Sequence, residues 1–315
     1  MRAHAAEILS VLVIAGLYAA SLVLAQATGR IVAWSEWSGM YVIGGVIGLL
    51  GLFYRVSRRS EALALTLLAT AIMIFFAHAG GIFNHLLFPL SRPLIDASLF
   101  VWDARLGYDW VAFVELVARW PLFGRGLGYV YDSSLVQLLL VVLVLGLGEQ
   151  AVALHRFLLV GVLGSLATIS IWWLAPSFGP AAHMPIDAEL AQRIELRVNA
   201  HYVAALHRLA ADGLDVVRPG SILGVVAFPS FHTVMACMAV WFSWGTRIFW
   251  PMALLNTAMI PAILSHGGHH LVDVFAGVAL FFVVWWLATL IVPTRTPVVA
   301  AAPLAAPVPA GLRGS

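Results

Sequence analysis

The sequence predicts an all-α fold: a polytopic membrane helix bundle of about eight transmembrane helices, with further helices lying at the bilayer surface. Three observations carry this. Hydrophobic residues make up 62% of the 315, and charged residues only 10%; a soluble domain is about one quarter charged. The mean hydropathy is +0.96. The apolar residues also gather into runs of roughly membrane-spanning length. Such a chain lacks the polar surface to cover a globule in water. It needs the bilayer as its second solvent, and in lipid only helices and closed barrels satisfy the backbone.

The expected spans are 8–25, 40–54, 62–80, 128–147, 157–175, 228–245, 248–264 and 270–292. The first follows Arg2 and ends near Ala25-Gln26-Ala27, which resembles a signal-peptide cleavage site. Its apolar run is long for a signal peptide and seven more spans follow, so a retained helix is expected. Between the third and fourth spans, 93–119 mixes Asp96, Asp103, Arg105, Asp109 and Glu115 with Leu99, Trp102 and Trp110. That mixture suits interfacial helices with aromatic rings at headgroup level. Residues 188–211 also read as helical. The Pro- and Ala-rich tail, 293–315, reads as disordered.

Charge excludes some functions and orients the rest. The formal net charge is +2, so there is no nucleic-acid footprint. All 17 basic residues are Arg, which removes any Schiff-base or phosphate-gripping lysine. One cysteine, Cys237, excludes an intramolecular disulfide and a multi-cysteine metal site. The densest short basic cluster is Arg55, Arg58 and Arg59. Placing it in the cytoplasm puts Arg156, Arg247 and Arg295 inside as well, with the long loops 81–127 and 176–227 outside.

Two places concentrate chemistry. One is Phe228-Pro229-Ser230-Phe231-His232-Thr233, opening the sixth span. The other is Ser265-His266-Gly267-Gly268-His269-His270-Leu271-Val272-Asp273, opening the eighth. An even number of spans separates these starts, so both motifs fall on one membrane face. His269 and Asp273 are four apart, on one helical face. A carboxylate there accepts one imidazole N–H and leaves the other nitrogen free as nucleophile or base. Gly267 and Gly268 permit a tight turn and close approach to a ligand. Ser230 reads as a helix cap, and the first turn after it offers free N–H groups to an anion. The set suggests phosphoryl transfer: His269 attacks phosphorus, Asp273 orients it, and His232 exchanges protons with the leaving and entering oxygens. Two rival readings stand beside this. His232, His266, His269, His270 and Asp273 include metal-ligand spacings, as in a metal transporter or intramembrane metalloenzyme. Alternatively, the histidines belong to a transport or scaffold protein and only satisfy interfacial hydrogen bonds.

At these residues the chain resembles the type 2 phosphatidic acid phosphatase superfamily. Pro229-Ser230-Phe231-His232 is similar to its P-S-G-H motif, with Phe in place of Gly. His269-His270-Leu271-Val272-Asp273 is similar to the H-x-x-x-D end of its third motif. The Ser-Arg that usually precedes that end is absent. The forms F-P-S-F-H-T and G-G-H-H-L-V-D, with Asp96 to Trp110 and Pro176 to Pro180, resemble the branch of inositol phosphorylceramide synthases and bacterial relatives. His270 stands where that branch commonly has Tyr. The first motif is matched in spacing by His85 with Arg92-Pro93, His replacing Lys, and Arg218-Pro219 is nearer to His232 in sequence.

The resemblance implies a six-helix core in 81–292, after extra N-terminal helices in 1–80. It implies an integral-membrane lipid phosphatase or phosphotransferase of sphingolipid-type lipid metabolism, working without metal or cofactor on a phosphorylated lipid. Its implied catalytic residues are His232, His269 and Asp273. Its implied substrate-binding residues are Ser230 and Gly268, with Arg92, Arg208 and Arg218 as the candidate phosphate-holding arginines. The setting it implies is a bacterial inner membrane, with the site facing outside.

Overall fold

The computed structural model describes residues 4–294. The first helix, α1 (Ala5–Thr28), is capped by His4, whose ring accepts the Ala6 N–H while Glu7 accepts the His4 N–H, each at 3.2 Å. Gly29 ends it in the left-handed region, where a side chain would be strained. Next come α2 (Ser38–Ser57) and α3 (Glu61–Leu86), the latter capped by Ser60. The segment read as interfacial forms α4 (Asp96–Arg105) and α5 (Trp110–Ala118). The central helices are α6 (Pro121–Asp132), α7 (Ser134–Leu147) and α8 (Ala151–Leu174). The second long loop holds α9 (Ala188–Arg193) and α10 (Ala200–Asp212). The last three are α11 (Phe231–Ser243), α12 (Phe249–His266) and α13 (Leu271–Ile291). Two-residue strands, β1 (Ile31–Val32) and β2 (Val216–Val217), pair in parallel and tie the α1–α2 connection to the loop before α11.

Every expected span is occupied by helix, but not in uniform form. Five helices are individually long and apolar enough to cross a bilayer, and the bent pair α6–α7 makes a sixth. The bend is 52°. At the break the Ser133 and Ser134 hydroxyls bond back to the carbonyls of Val130 and Tyr131, at 2.6 and 2.9 Å, in competition with the helical ladder. The short helix is α11: its 13 residues rise about 20 Å, less than a hydrocarbon core. Of the tail 293–315, residues 295–315 lie outside the described residues, as do Arg2 and Arg295.

The core follows from where these helices bury their apolar faces. α11 lies among α7, α8, α12 and α13. Val141, Phe157, Met238, Phe242, Phe281 and Val284 meet there. α3 packs against α7 and α8 and carries α1 and α2 on its outside. α2 approaches α3 through Gly44, Gly48 and Gly51; a Cβ at Gly51 would stand 2.9 Å from Leu68. Small residues at an interface are how membrane helices pack closely where lipid supplies no hydrophobic drive. The other face of α2, with Val42, Val46, Leu49 and Phe53, is exposed, as a lipid-facing surface is.

A buried ionic clamp gathers one end of the bundle. Arg55 donates two hydrogen bonds to the Glu7 carboxylate, one of them from Nη2 at 2.7 Å. His155 Nε2 reaches the same carboxylate at 3.2 Å. All three residues are buried. Arg55 is therefore the last-turn anchor of α2, and Arg58 and Arg59 remain as the exposed cations of that connection, Arg59 lying over the Phe53 ring at 5.5 Å. The clamp joins the start of α1, the end of α2 and the start of α8, which the arginine reading placed on one side. Breaking a buried pair strands the surviving charge, at a cost of about 3–5 kcal/mol. Glu7→Gln is therefore expected to lower the melting temperature in detergent well beyond the effect of Glu36→Gln, whose partner Arg218 is exposed. Equal shifts in the two variants would show that the clamp carries little stability.

Candidate active site

The first wall of the site is the start of α11. Ser230 takes an extended conformation and its Oγ accepts the Thr233 N–H at 3.3 Å, so it caps the helix as its residue type suggests. Its own N–H donates to the Asp273 carbonyl at 3.1 Å. That bond sets the starts of α11 and α13 side by side, as the alternation of spans requires. The approach needs Gly277, where a Cβ would fall 2.5 Å from the Ser230 carbonyl oxygen.

The second wall is the turn from α12 into α13. Gly268 has a φ of 59°, and a Cβ there would also meet Ala181 at 2.8 Å. Protein, rather than open space, approaches this glycine: a Cβ on Gly179 would lie 2.1 Å from the Gly268 carbonyl oxygen. The turn delivers His269 just ahead of α13. His269 Nδ1 is 3.1 Å from Asp273 Oδ2, which also accepts the His270 N–H at 2.9 Å. Asp273 has no exposed surface and His269 is 2% exposed. With Nδ1–H given to the carboxylate, His269 Nε2 carries the lone pair. It faces Ser230 Oγ at 3.4 Å. The His232 ring stands edge-on to His269, centroids 6.5 Å apart, and stacks on Tyr131 at 4.1 Å. His232, His269, Asp273 and Ser230 thus converge from two helix N-termini.

A second layer lies behind them, and reading the sequence for chemistry missed it. Asp103 Oδ2 accepts from His270 Nδ1 at 2.7 Å, and its Oδ1 accepts the Val272 N–H at 3.2 Å. Asp96 Oδ1 lies 3.6 Å from His270 Nε2 and 3.3 Å from His183 Nε2. Asp96 also accepts the N–H groups of Phe178 and Gly179 and the Ser177 hydroxyl. The signal was present: Asp96 and Asp103 sit seven apart on α4, two turns and one face. What local spacing cannot show is a partner some 170 residues away. Burial opposes charge on His270, but its bond to Asp103 and the Asp96 carboxylate 3.6 Å away win and raise it to about 9. For Asp96 burial pushes upward, while His183 and His270 hold it below the usual carboxylate range. His270 is thus a buried imidazolium between two carboxylates.

The candidate arginines lie elsewhere. Arg92 stacks on Trp173 at 4.5 Å. Arg218 is 3.8 Å from Glu36. Arg208 is exposed on α10. His85, read as a possible first-motif cation, is buried and fully engaged: it bonds the Gly81 carbonyl at 2.9 Å and accepts the Leu223 N–H at 3.0 Å. Arg197 holds Asp132 at 2.7 Å.

The metal reading finds no geometry. His266 Nε2 bonds the Gly124 carbonyl at 2.9 Å, while His269 and His270 turn to different carboxylates. Among the described residues, no group of three or more His, Cys, Asp or Glu side chains is placed to hold a metal ion.

A family model described as the PAP2 superfamily matches residues 97–287. The chain belongs to the PAP2 superfamily. Membership brings phosphatase-type chemistry on phosphorylated substrates, in an all-helical membrane bundle. The match begins within α4 and ends within α13, so it includes Asp103, His232, His269, His270 and Asp273. It leaves out α1 to α3 and, with them, His85 and Arg92. No curated protein and no solved structure matches the chain.

The buried imidazolium has a measurable signature. A group whose folded pKa is raised contributes its stability in full below the ordinary value, 6.5 here, and loses it as pH rises through the folded value, about 9. The melting temperature in detergent is expected to fall between pH 6.5 and 9, and Asp103→Asn to flatten that fall. An identical slope in Asp103→Asn would show that the cation is not held by this carboxylate.

Proposed function

We propose that this PAP2-superfamily protein transfers a phosphoryl group from a phosphorylated lipid through a covalent phosphohistidine on His269. One observation carries the reading: His269 is held by Asp273 through Nδ1, Nε2 faces Ser230 Oγ, and the His232 ring stands edge-on beside it, centroids 6.5 Å apart. A nucleophile oriented by a carboxylate, with a second imidazole beside it, is the arrangement that two-step displacement needs.

Nε2 attacks phosphorus in line with the leaving oxygen. The P–N bond forms as the P–O bond breaks, and His232 gives its proton to the departing oxygen. Asp273 stabilises the imidazolium-like charge on His269. Water or a lipid alcohol then loses its proton to His232 and attacks the phosphohistidine from the side the leaving group vacated. In this reading the Ser230 hydroxyl and the free N–H groups of the first turn of α11 hold the phosphoryl oxygens. Gly268 serves by aiming His269.

The lipid substrate is supported by the setting. The site opens at helix starts in a bundle whose outer faces are apolar, so a lipid keeps its tails in the bilayer while its headgroup meets the histidines. The extracytoplasmic face is supported by charge: Arg58, Arg59, Arg156 and Arg247 belong to the opposite end of the bundle, and cationic loops stay in the cytoplasm. A bacterial inner membrane and the inositol phosphorylceramide synthase branch belong to the same proposal. The chemistry asks for no metal.

The test is phosphate release from a panel of lipid phosphates by protein purified in detergent and treated with chelator. Activity is expected to survive chelation. It is expected to vanish in His269→Ala and to drop by about 10²–10⁴ in His232→Ala, the span of general acid–base catalysis. Label from ³²P-lipid is expected on His269 in the His232→Ala variant. Label on any other residue, or activity lost with the metal, would overturn the assignment.

A further inference from the structure

A cavity of about 210 Å³ lies between α3, α8, residues 222–226 and the start of α11, and His232 forms part of its wall. Its other polar side chains are Asn84, His85, Ser165 and Thr168. Asn84 is 8% exposed and its Oδ1 is buried with no hydrogen-bond partner. His85 cannot supply one, because its two ring nitrogens are taken by Gly81 and Leu223. The Thr168 hydroxyl is directed to the Gly164 carbonyl at 2.8 Å. A buried acceptor without a donor is costly and calls for an explanation. An O–H or N–H donor entering the cavity would satisfy it. The volume equals the share of roughly seven waters, enough for a small polyol headgroup.

Position then says which part of the reaction meets this cavity. The leaving oxygen and the entering oxygen both use the side of phosphorus away from His269, and both exchange a proton with His232. We propose that the cavity is the alcohol subsite: it holds the hydroxylated headgroup that attacks the phosphohistidine, with Asn84 Oδ1 accepting one of its hydroxyls. This rests on the phosphoryl-transfer reading and extends it, since it makes the protein a transferase and not only a hydrolase. The entering alcohol gives its O–H proton to His232, its oxygen bonds to phosphorus, and the P–N bond breaks with its electrons returning to His269. Asn84 lies on α3, outside the segment matched to the family. Acceptor choice is therefore set by a helix that belongs to this chain's own N-terminal portion.

Both products come from one intermediate, so their ratio reports the acceptor site whatever the rate of phosphoenzyme formation. The full chain in detergent is given dioctanoyl phosphatidate with glycerol or myo-inositol, and ³¹P NMR separates inorganic phosphate from phosphorylated polyol. Wild type is expected to form the phosphorylated polyol. Asn84→Leu is expected to lower the ratio of phosphorylated polyol to phosphate by roughly five- to tenfold, the loss of one hydrogen bond. Asn84→Asp, which keeps the acceptor oxygen, is expected to restore it. Three results would overturn the subsite: no phosphorylated polyol from wild type, a ratio unchanged in Asn84→Leu, or equal losses in both variants. In each of these cases, phosphate release that depends on His269 leaves the phosphoryl-transfer reading standing. No consumption of phosphatidate by wild type would remove that reading and the subsite together.

Discussion

A carboxylate with no exposed surface must have its charge answered by protein, and Asp273 is such a carboxylate. Most of what surrounds it follows from that demand. Its Oδ2 takes the His270 N–H and the His269 ring N–H, so the residues that satisfy this oxygen are the residues it aims. It sits in the first turn of α13, where the helix dipole favours negative charge. Its carbonyl holds Ser230 and so brings in the second helix start. The imidazolium of His270 lies one residue from His269 and is fixed in turn by Asp103 and Asp96. The two layers are one electrostatic unit, and α4 is there to complete it.

The interfacial helices have a function that their amphipathic pattern conceals. α4 presents two carboxylates to the turn that carries His269 and His270. Asp96 also gathers the N–H groups of Phe178 and Gly179, which seats the 177–180 loop on Gly268. Buried polar networks of this kind are costly when incomplete, so they favour one arrangement of the loops over its alternatives. The second layer of the site is built from α4 and the 177–180 loop, while the bundle supplies the two helix ends.

The spans were legible because apolarity reports burial in lipid directly, and His269 with Asp273 was legible because four residues is a helical repeat. Each of the other features needed information that local pattern lacks. The bend at Ser133 depends on hydroxyls turning back on their own helix, and an apolar run reads the same with or without it. Arg55 was read as a loop cation because Glu7, its partner, is 48 residues away. Gly268 read as an approach for ligand, since a left-handed glycine signals closeness without naming what comes close. His270 looked like a substituted Tyr until Asp103 gave it a charge. The family's first-motif cation has no counterpart among the described contacts of the site, and a chain without lysine gave notice of that.

The order of the chain along the site has a consequence for its making. His232 is synthesised with α11, but His269 and Asp273 arrive only with the turn into α13, the last helix described. Until that helix is inserted, the ribosome-bound protein holds His232 with neither His269 nor Asp273 beside it. Ser230 meanwhile has no carbonyl for its N–H. The two helix starts that make up the site therefore come together only when α13 is in place, so the geometry around Asp273 is among the last that the described chain can form.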